Sequence, residues 1–222
     1  FKKSFSSFAP LICFAVKSNT NVKLISEIKK LGLGADVVSM GELMVALKAG
    51  INPNKIVFSG IGKTTSEINF AIDKGILLIN AESKSEILEI EKIAQSKKKI
   101  INIGIRLNPN TDAKTLKQIS TGKKENKFGV SQKKFFELVK YVKDSKNINL
   151  ECLSVHIGSQ ILDHKPYEKM LNVLTKVIKK SNHKFKFIDL GGGMGISYKN
   201  NDKKLNYKKY NLAIKKFLKN CR

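Results

Sequence analysis

A chain of 222 residues with 41% hydrophobic content can bury one large core and is too apolar to remain disordered. Its formal net charge of +24 invites a polyanion as partner, yet among 42 basic residues only Arg106 and Arg222 are arginine. Base readout and bidentate phosphate grips favour the guanidinium fork, so lysines spread along every helical segment read as a solvated surface, and no specific nucleic-acid partner is expected.

Short β-type runs alternate with longer helical patterns along the whole chain. The first strand is predicted over residues 11–16 and its helix over 21–31, followed by strand 35–39 with helix 41–49 and strand 56–59 with helix 64–74. Strands 76–80, 101–107, 150–157 and 185–190 then alternate with helices 84–95, 132–144, 167–180 and 207–218. Apolar residues recur at helical spacing, as in Ile68, Phe70, Ala71 and Ile72, or Phe135, Phe136, Leu138, Val139 and Val142. The strand segments are near-continuous Val, Ile and Leu, the pattern of a parallel sheet covered on both faces. Gly32, Gly50 and Gly75 stand where helices close in the left-handed conformation, and Ser66 with Glu67 is expected to open the third helix.

Seven β-then-α units in unbroken succession fit an α/β fold of the (β/α)8, TIM-type barrel class better than an open doubly wound sheet. A closed barrel needs an eighth strand, which no segment supplies, and the chain runs from Phe1 to Arg222 with a Lys-rich helical pattern at its end. Residues 1–222 are therefore expected to be one barrel domain, truncated before the eighth strand. The one long irregular connection, 108–129, follows the fifth strand. Such loops lie on the catalytic face of barrels, although a solvated insertion would look the same. The longest apolar stretch, 8–16, contains Pro10 and is far short of a membrane span, so no membrane partner is expected. Cys13, Cys152 and Cys221 are odd in number and lack metal-ligand spacing, which points to a reducing, cytoplasmic setting.

Chemistry in a barrel collects at the C-terminal ends of the strands. Those ends carry Lys17, Ser18 and Asn19, Ser39, Ser59 and Gly60, Asn80, Arg106, residues 156–160 and residues 191–193. Lys17 follows an apolar run, where a partly desolvated mouth would favour the neutral, nucleophilic amine; taken alone it is one lysine among many. Gly191, Gly192 and Gly193 let backbone N–H groups close around an oxyanion such as a phosphate, or form a tight turn and nothing more. The dinucleotide spacing fails at Ile196 and no nucleotide P-loop occurs, so a cofactor phosphate is the better fit. His156, at the end of the sixth strand, suits stacking on a planar cofactor, but a base or a satisfied core residue remains open. His164 and His183 fall elsewhere and no metal is expected. Ser159 could add a phosphate hydrogen bond. Arg106 in a Lys background suggests a need for a planar, permanently charged fork, or a structural ion pair, for instance with Asp36.

Segments 14–19, 34–42, 56–64, 78–83, 105–109, 120–129, 156–160 and 189–193 together resemble the fold-type III, alanine-racemase-like decarboxylases that use pyridoxal 5'-phosphate, the members acting on diaminopimelate above all. They occur in family order over almost the whole chain. The resemblance implies that Lys17 is the Schiff-base lysine, that His156 stacks on the pyridine ring, and that Ser159, Gly192 and Gly193 contact the phosphate. Asp36 and Arg106 match polar positions around the cofactor and its lysine. The chemistry implied is exchange of the lysine amine for the substrate's, loss of the α-carboxylate with its electrons drawn into the ring, and protonation of the α-carbon, which turns meso-diaminopimelate into L-lysine and CO2.

The chain departs from the family pattern at Ser154, where members often carry a second histidine. It also lacks the Glu-Pro-Gly-Arg strand that supplies an acid to the ring nitrogen. The C-terminal β-domain, which completes the site across a homodimer in this family, is missing as well. Residues 1–222 alone are thus expected to bind cofactor poorly and turn over little. A related decarboxylase of ornithine, arginine or carboxynorspermidine is the alternative within the class, and a non-catalytic cofactor-binding barrel the alternative outside it.

Overall fold

The structure, a computed structural model, describes residues 2–111, 128–198 and 204–221. Most of the 108–129 connection, including the 120–127 part of the family motif, lies outside the described residues, as does Arg222. Seven strands are hydrogen-bonded to one another in sequence order, from β1 (Cys13–Ala15) to β7 (Phe187–Asp189). An unbroken sequential order is the topology of the (β/α)8 class; a doubly wound sheet reverses its order at a switch point. The chain forms two compact units, one of residues 9–105 and 140–152, the other of residues 1–8, 106–139 and 153–222.

The first unit holds β1, β2 (Gly34–Val37), β3 (Ile56–Phe58) and β4 (Leu78–Ala81), all paired in parallel, with β4 parallel to β5 (Ile101–Arg106) in turn. Helices α1 (Val22–Lys30), α2 (Met40–Lys48), α3 (Thr65–Lys74) and α4 (Lys84–Ser96) follow the first four strands. Ile56, Val57 and Phe58 are buried throughout, as a sheet covered on both faces requires. Each helix begins on a side-chain cap: Asn21, Ser39, Thr64 and Ser83 accept from backbone N–H groups two or three residues on. The start of α3 differs from the expectation at Ser66. Thr64 is the cap and Glu67 bonds back to it in a complete capping box, because the Thr-x-x-Glu spacing satisfies two end N–H groups reciprocally. Gly75 closes the same helix at φ 62°.

The second unit contains the C-terminal end of β5, the end of β6 (Ile148–Ser154), α6 (Lys165–Ser181), β7 and α7 (Tyr207–Asn220), together with most of α5 (Gln132–Lys143). Its core gathers Phe135, Tyr167, Leu174, Ile214 and Phe217. A 3-10 helix at Lys2–Phe8, which no sequence pattern predicts, docks on α7: Phe5 is buried edge-on to Tyr207 and Tyr210, and Asn211 Nδ2 donates to the Ser4 carbonyl.

Two details of the predicted helix faces change. Phe70 and Phe136 sit at the margin of the core and carry Lys74 and Lys180 over their rings, each Nζ 5.1 Å from a ring centre, while Ile68, Ile72, Phe135 and Val139 are buried. Phe70 is two residues from both Ile68 and Ile72, about 160° around the helix, and Phe136 is turned about 100° from Phe135, so both rings lie at the edge beside lysine side chains.

Candidate functional site

In the first unit the predicted strand over 11–16 is short. Extended pairing ends at Ala15, and Val16–Ser18 turn through a 3-10 helix with Val16 buried. Lys17 is exposed on that turn and not in the partly dry setting that the apolar run suggests, since the turn carries it past the last residue of β1. Ala15 is the register partner of Asp36 on β2, so Lys17 follows closely on the residue paired with that carboxylate.

Asp36 heads a polar row across neighbouring strand ends. Ser59 Oγ donates to Asp36 Oδ1 at 2.6 Å, and Asn80 Nδ2 donates to Ser59 Oγ at 3.3 Å. The row is held tightly at its far end: a Cβ on Gly104 would overlap Asn80 Oδ1, so only glycine on β5 lets Asn80 lie there. Beside it, Lys63 Nζ donates to the carbonyls of Gly60 and Asn80 and to Glu86 Oε1, the last at 2.6 Å. Ser39, one of the strand-end polar residues, is used as the α2 cap and not as part of this row.

In the second unit the sixth strand, expected to reach residue 157, ends at Ser154, so His156 lies in the loop just beyond it. Gly192 N–H donates to His156 Nδ1 at 3.3 Å. That bond places the ring proton of neutral His156 on Nε2. Asp189, the last residue of β7, accepts from Gly191 N–H and from Ser154 Oγ, both at 2.8 Å. Ser154 thereby does work that its position as a histidine substitute does not suggest.

The loops after β6 and β7 are joined by a parallel bridge. Ile161 N–H donates to the Gly193 carbonyl and Gly195 N–H to the Ile161 carbonyl, while the Gln160 side chain bonds both N–H and C=O of Ile196. This close approach explains two of the three glycines. Gly191 and Gly193 have φ of 66° and 79°, and a Cβ on either would overlap the facing backbone at Val155 or Gly158. Gly192 differs: a Cβ there meets nothing within 4 Å.

The arrangement fits a phosphate. Gly193 packs against Ser159, whose Cα lies 3.4 Å from the place of a Gly193 Cβ, and Ser159 is exposed. Among the described residues neither the Ser159 hydroxyl nor the Gly193 N–H has a partner, so two neighbouring donors stand beside an open glycine. The Gly192 N–H, by contrast, is turned to His156, which makes Gly192 an orienter of the loop more than a direct donor. Arg106 is buried, with its guanidinium 4.9 Å from the Phe128 ring centre. Lys17 and Asp36 thus belong to one unit, and Arg106, His156, Ser159, Gly192 and Gly193 to the other. Ser59, Asn80 and Gln160, which stand among the strand-end candidates, bond to other protein groups, as do Lys63 and Asp189, whose part in the site no sequence pattern marks.

Among known proteins, the diaminopimelate decarboxylase of Helicobacter pylori (strain J99) is 45% identical over 205 residues, covering 91% of this chain and 51% of that protein. The diaminopimelate decarboxylase of Aquifex aeolicus is 41% identical over 206 residues, covering 91% and 49%. The chain spans about half the length of the curated relatives it matches. The crystal structure of the Helicobacter pylori diaminopimelate decarboxylase complexed with L-lysine superposes with a TM-score of 0.95 at 42% identity, covering 98% of this chain and 56% of that one. Residues 1–222 match the family described as pyridoxal-dependent decarboxylase, pyridoxal binding domain, and the chain belongs to that family.

Proposed function

We propose that the full-length protein is a pyridoxal-phosphate-dependent decarboxylase that converts meso-diaminopimelate to L-lysine and CO2. The single observation that carries this is the 45% identity to a diaminopimelate decarboxylase across nine-tenths of the chain. A relative of the same activity holds L-lysine in its crystal structure, in keeping with that product. On this reading, residues 1–222 are the cofactor-binding barrel domain of a longer cytoplasmic protein that works as a homodimer.

When bound, pyridoxal phosphate supplies a ring that withdraws the electron pair left by the departing carboxylate. The chain's own residues hold and orient. Lys17 would hold the cofactor through its side-chain amine, and its exposed position leaves that amine accessible to an incoming substrate. Asp36, fixed by Ser59, supplies a negative charge one strand away from Lys17. His156 offers a neutral imidazole with Nε2 protonated, and Ser159 with the Gly193 N–H grips the phosphate.

The test is to load the full-length protein with pyridoxal phosphate, reduce with borohydride and map the labelled peptide. Label on Lys17, lost in Lys17→Ala, is the expected result; equal labelling of Lys17→Ala would sink the assignment. Carbon dioxide release from diaminopimelate, set against ornithine, arginine and carboxynorspermidine, decides the substrate.

A further inference from the structure

Gly192 is clamped from two sides. Its N–H points to His156 Nδ1, and its carbonyl accepts from Tyr167 Oη at 3.1 Å. Tyr167 stands in the first turn of α6, right after Pro166, and is completely buried with its ring 4.4 Å from that of Tyr210. Burial pushes its hydroxyl far above the usual phenol range, so it stays a neutral donor at any working pH. Packing asks only for the ring, and phenylalanine would fill the same space. The hydroxyl therefore has one visible use, the Gly192 carbonyl.

That carbonyl and the Gly193 N–H belong to one planar, trans peptide unit, in which C=O and N–H point in opposite directions. Fixing the first toward α6 fixes the second away from it. The Gly193 N–H has no partner among the described residues, and Gly193 packs beside Ser159. Neither residue of this glycine pair has a Cβ to restrict its backbone, so the orientation of the peptide between them depends on contacts such as the Tyr167 hydrogen bond.

We propose that the Tyr167 hydroxyl is a positioning group that holds the 192–193 peptide so that the Gly193 N–H is aimed at the cofactor phosphate. The inference rests on the reading of the chain as a pyridoxal-phosphate domain and adds to it a residue outside the loop that tunes phosphate affinity. The signal was not legible in the sequence, because an aromatic in the first turn of an amphipathic helix reads as core.

The experiment compares full-length wild type with Tyr167→Phe, measuring dissociation constants for pyridoxal phosphate and for pyridoxal, which lacks the phosphate. Loss of one neutral hydrogen bond should weaken pyridoxal phosphate about threefold to tenfold while leaving pyridoxal unchanged. Equal weakening of both, or no change in either, overturns the proposal, since a merely structural role would not separate the two ligands. In case Tyr167→Phe does not fold, amide exchange at Gly193 of the wild type provides the second reading: pyridoxal phosphate should protect it and pyridoxal should not, and equal protection overturns the idea. If wild type takes up no label at Lys17, the functional reading itself fails; if it is labelled and the affinity ratio is unmoved, only the role of Tyr167 fails.

Discussion

Replacing Lys63 by methionine should be among the most damaging single changes outside the apolar core. The Lys63 side chain is 1% exposed and that of Glu86 10%, and their charged atoms are 2.6 Å apart. The same ammonium serves the Gly60 and Asn80 carbonyls, so all three of its donors are used. Methionine keeps the length and apolar stem but strands the Glu86 carboxylate, which then retains only the Glu82 N–H at 2.8 Å on its other oxygen. Removing one partner of a buried pair costs about 3–5 kcal/mol, most of it the penalty on the charge left behind. In urea this corresponds to a midpoint lowered by about 1–2.5 M at a slope of about 2–3 kcal/mol per molar. The double variant Lys63→Met with Glu86→Gln removes the stranded charge yet still accepts from Glu82 N–H, so it should recover much of the loss. The reasoning is refuted if Lys63→Met costs less than about 1 kcal/mol, the worth of a surface pair, or if the double variant is no more stable than the single.

The glycines of the loop after β7 should part company on thermal unfolding. Gly193→Ala forces a side chain into a left-handed backbone against the Gly158 carbonyl and should cost roughly 1–3 kcal/mol, whereas Gly192→Ala should stay within about 0.5 kcal/mol of wild type. Glu67 is held below the ordinary carboxylate range first by the Thr64 backbone N–H and then by that of Met40. A depressed folded value means stabilisation that is present above the unfolded carboxyl range and lost as pH falls through the folded one, so Glu67→Gln should flatten the acid limb of a melting-temperature profile without altering its alkaline side.

The alternation of strand and helix was legible because two periodicities alternate cleanly, and the sequential strand order follows from that rhythm under the rule that parallel strands need crossover helices. Strand ends were less legible. Ala15 and Val16 are apolar enough to continue β1, yet pairing stops at Ala15, where Asp36 is the last β2 register partner. The candidate residues came from motif order, which identifies positions but not hydrogen bonds. Nothing local marks Ser154 as a partner of Asp189, because the two are thirty-five residues apart and meet only through the pairing of β6 with β7. Thr64 was missed in favour of Ser66 for a different reason: both are caps by type, and only the three-residue step to Glu67 separates them.

Arg106 and Lys63 show why the rarity of arginine in this chain carries meaning. Both are taken out of water, and the shape of each suits a contact that it makes. The Lys63 environment is three separate oxygens around a point, two carbonyls and a carboxylate, which a compact ammonium with three donors satisfies and a planar fork could not without spreading them. Arg106 lies over the flat face of Phe128, 4.9 Å from its centre, where a delocalised plane stacks and an ammonium would keep less contact. Gly129, at φ 73°, brings that ring close: its neighbours in the chain bond back to β5 through Val130 N–H to the Arg106 carbonyl, and a Cβ at 129 would crowd that same oxygen. The guanidinium is therefore held against Phe128, next to the backbone bond from Val130 N–H to the Arg106 carbonyl.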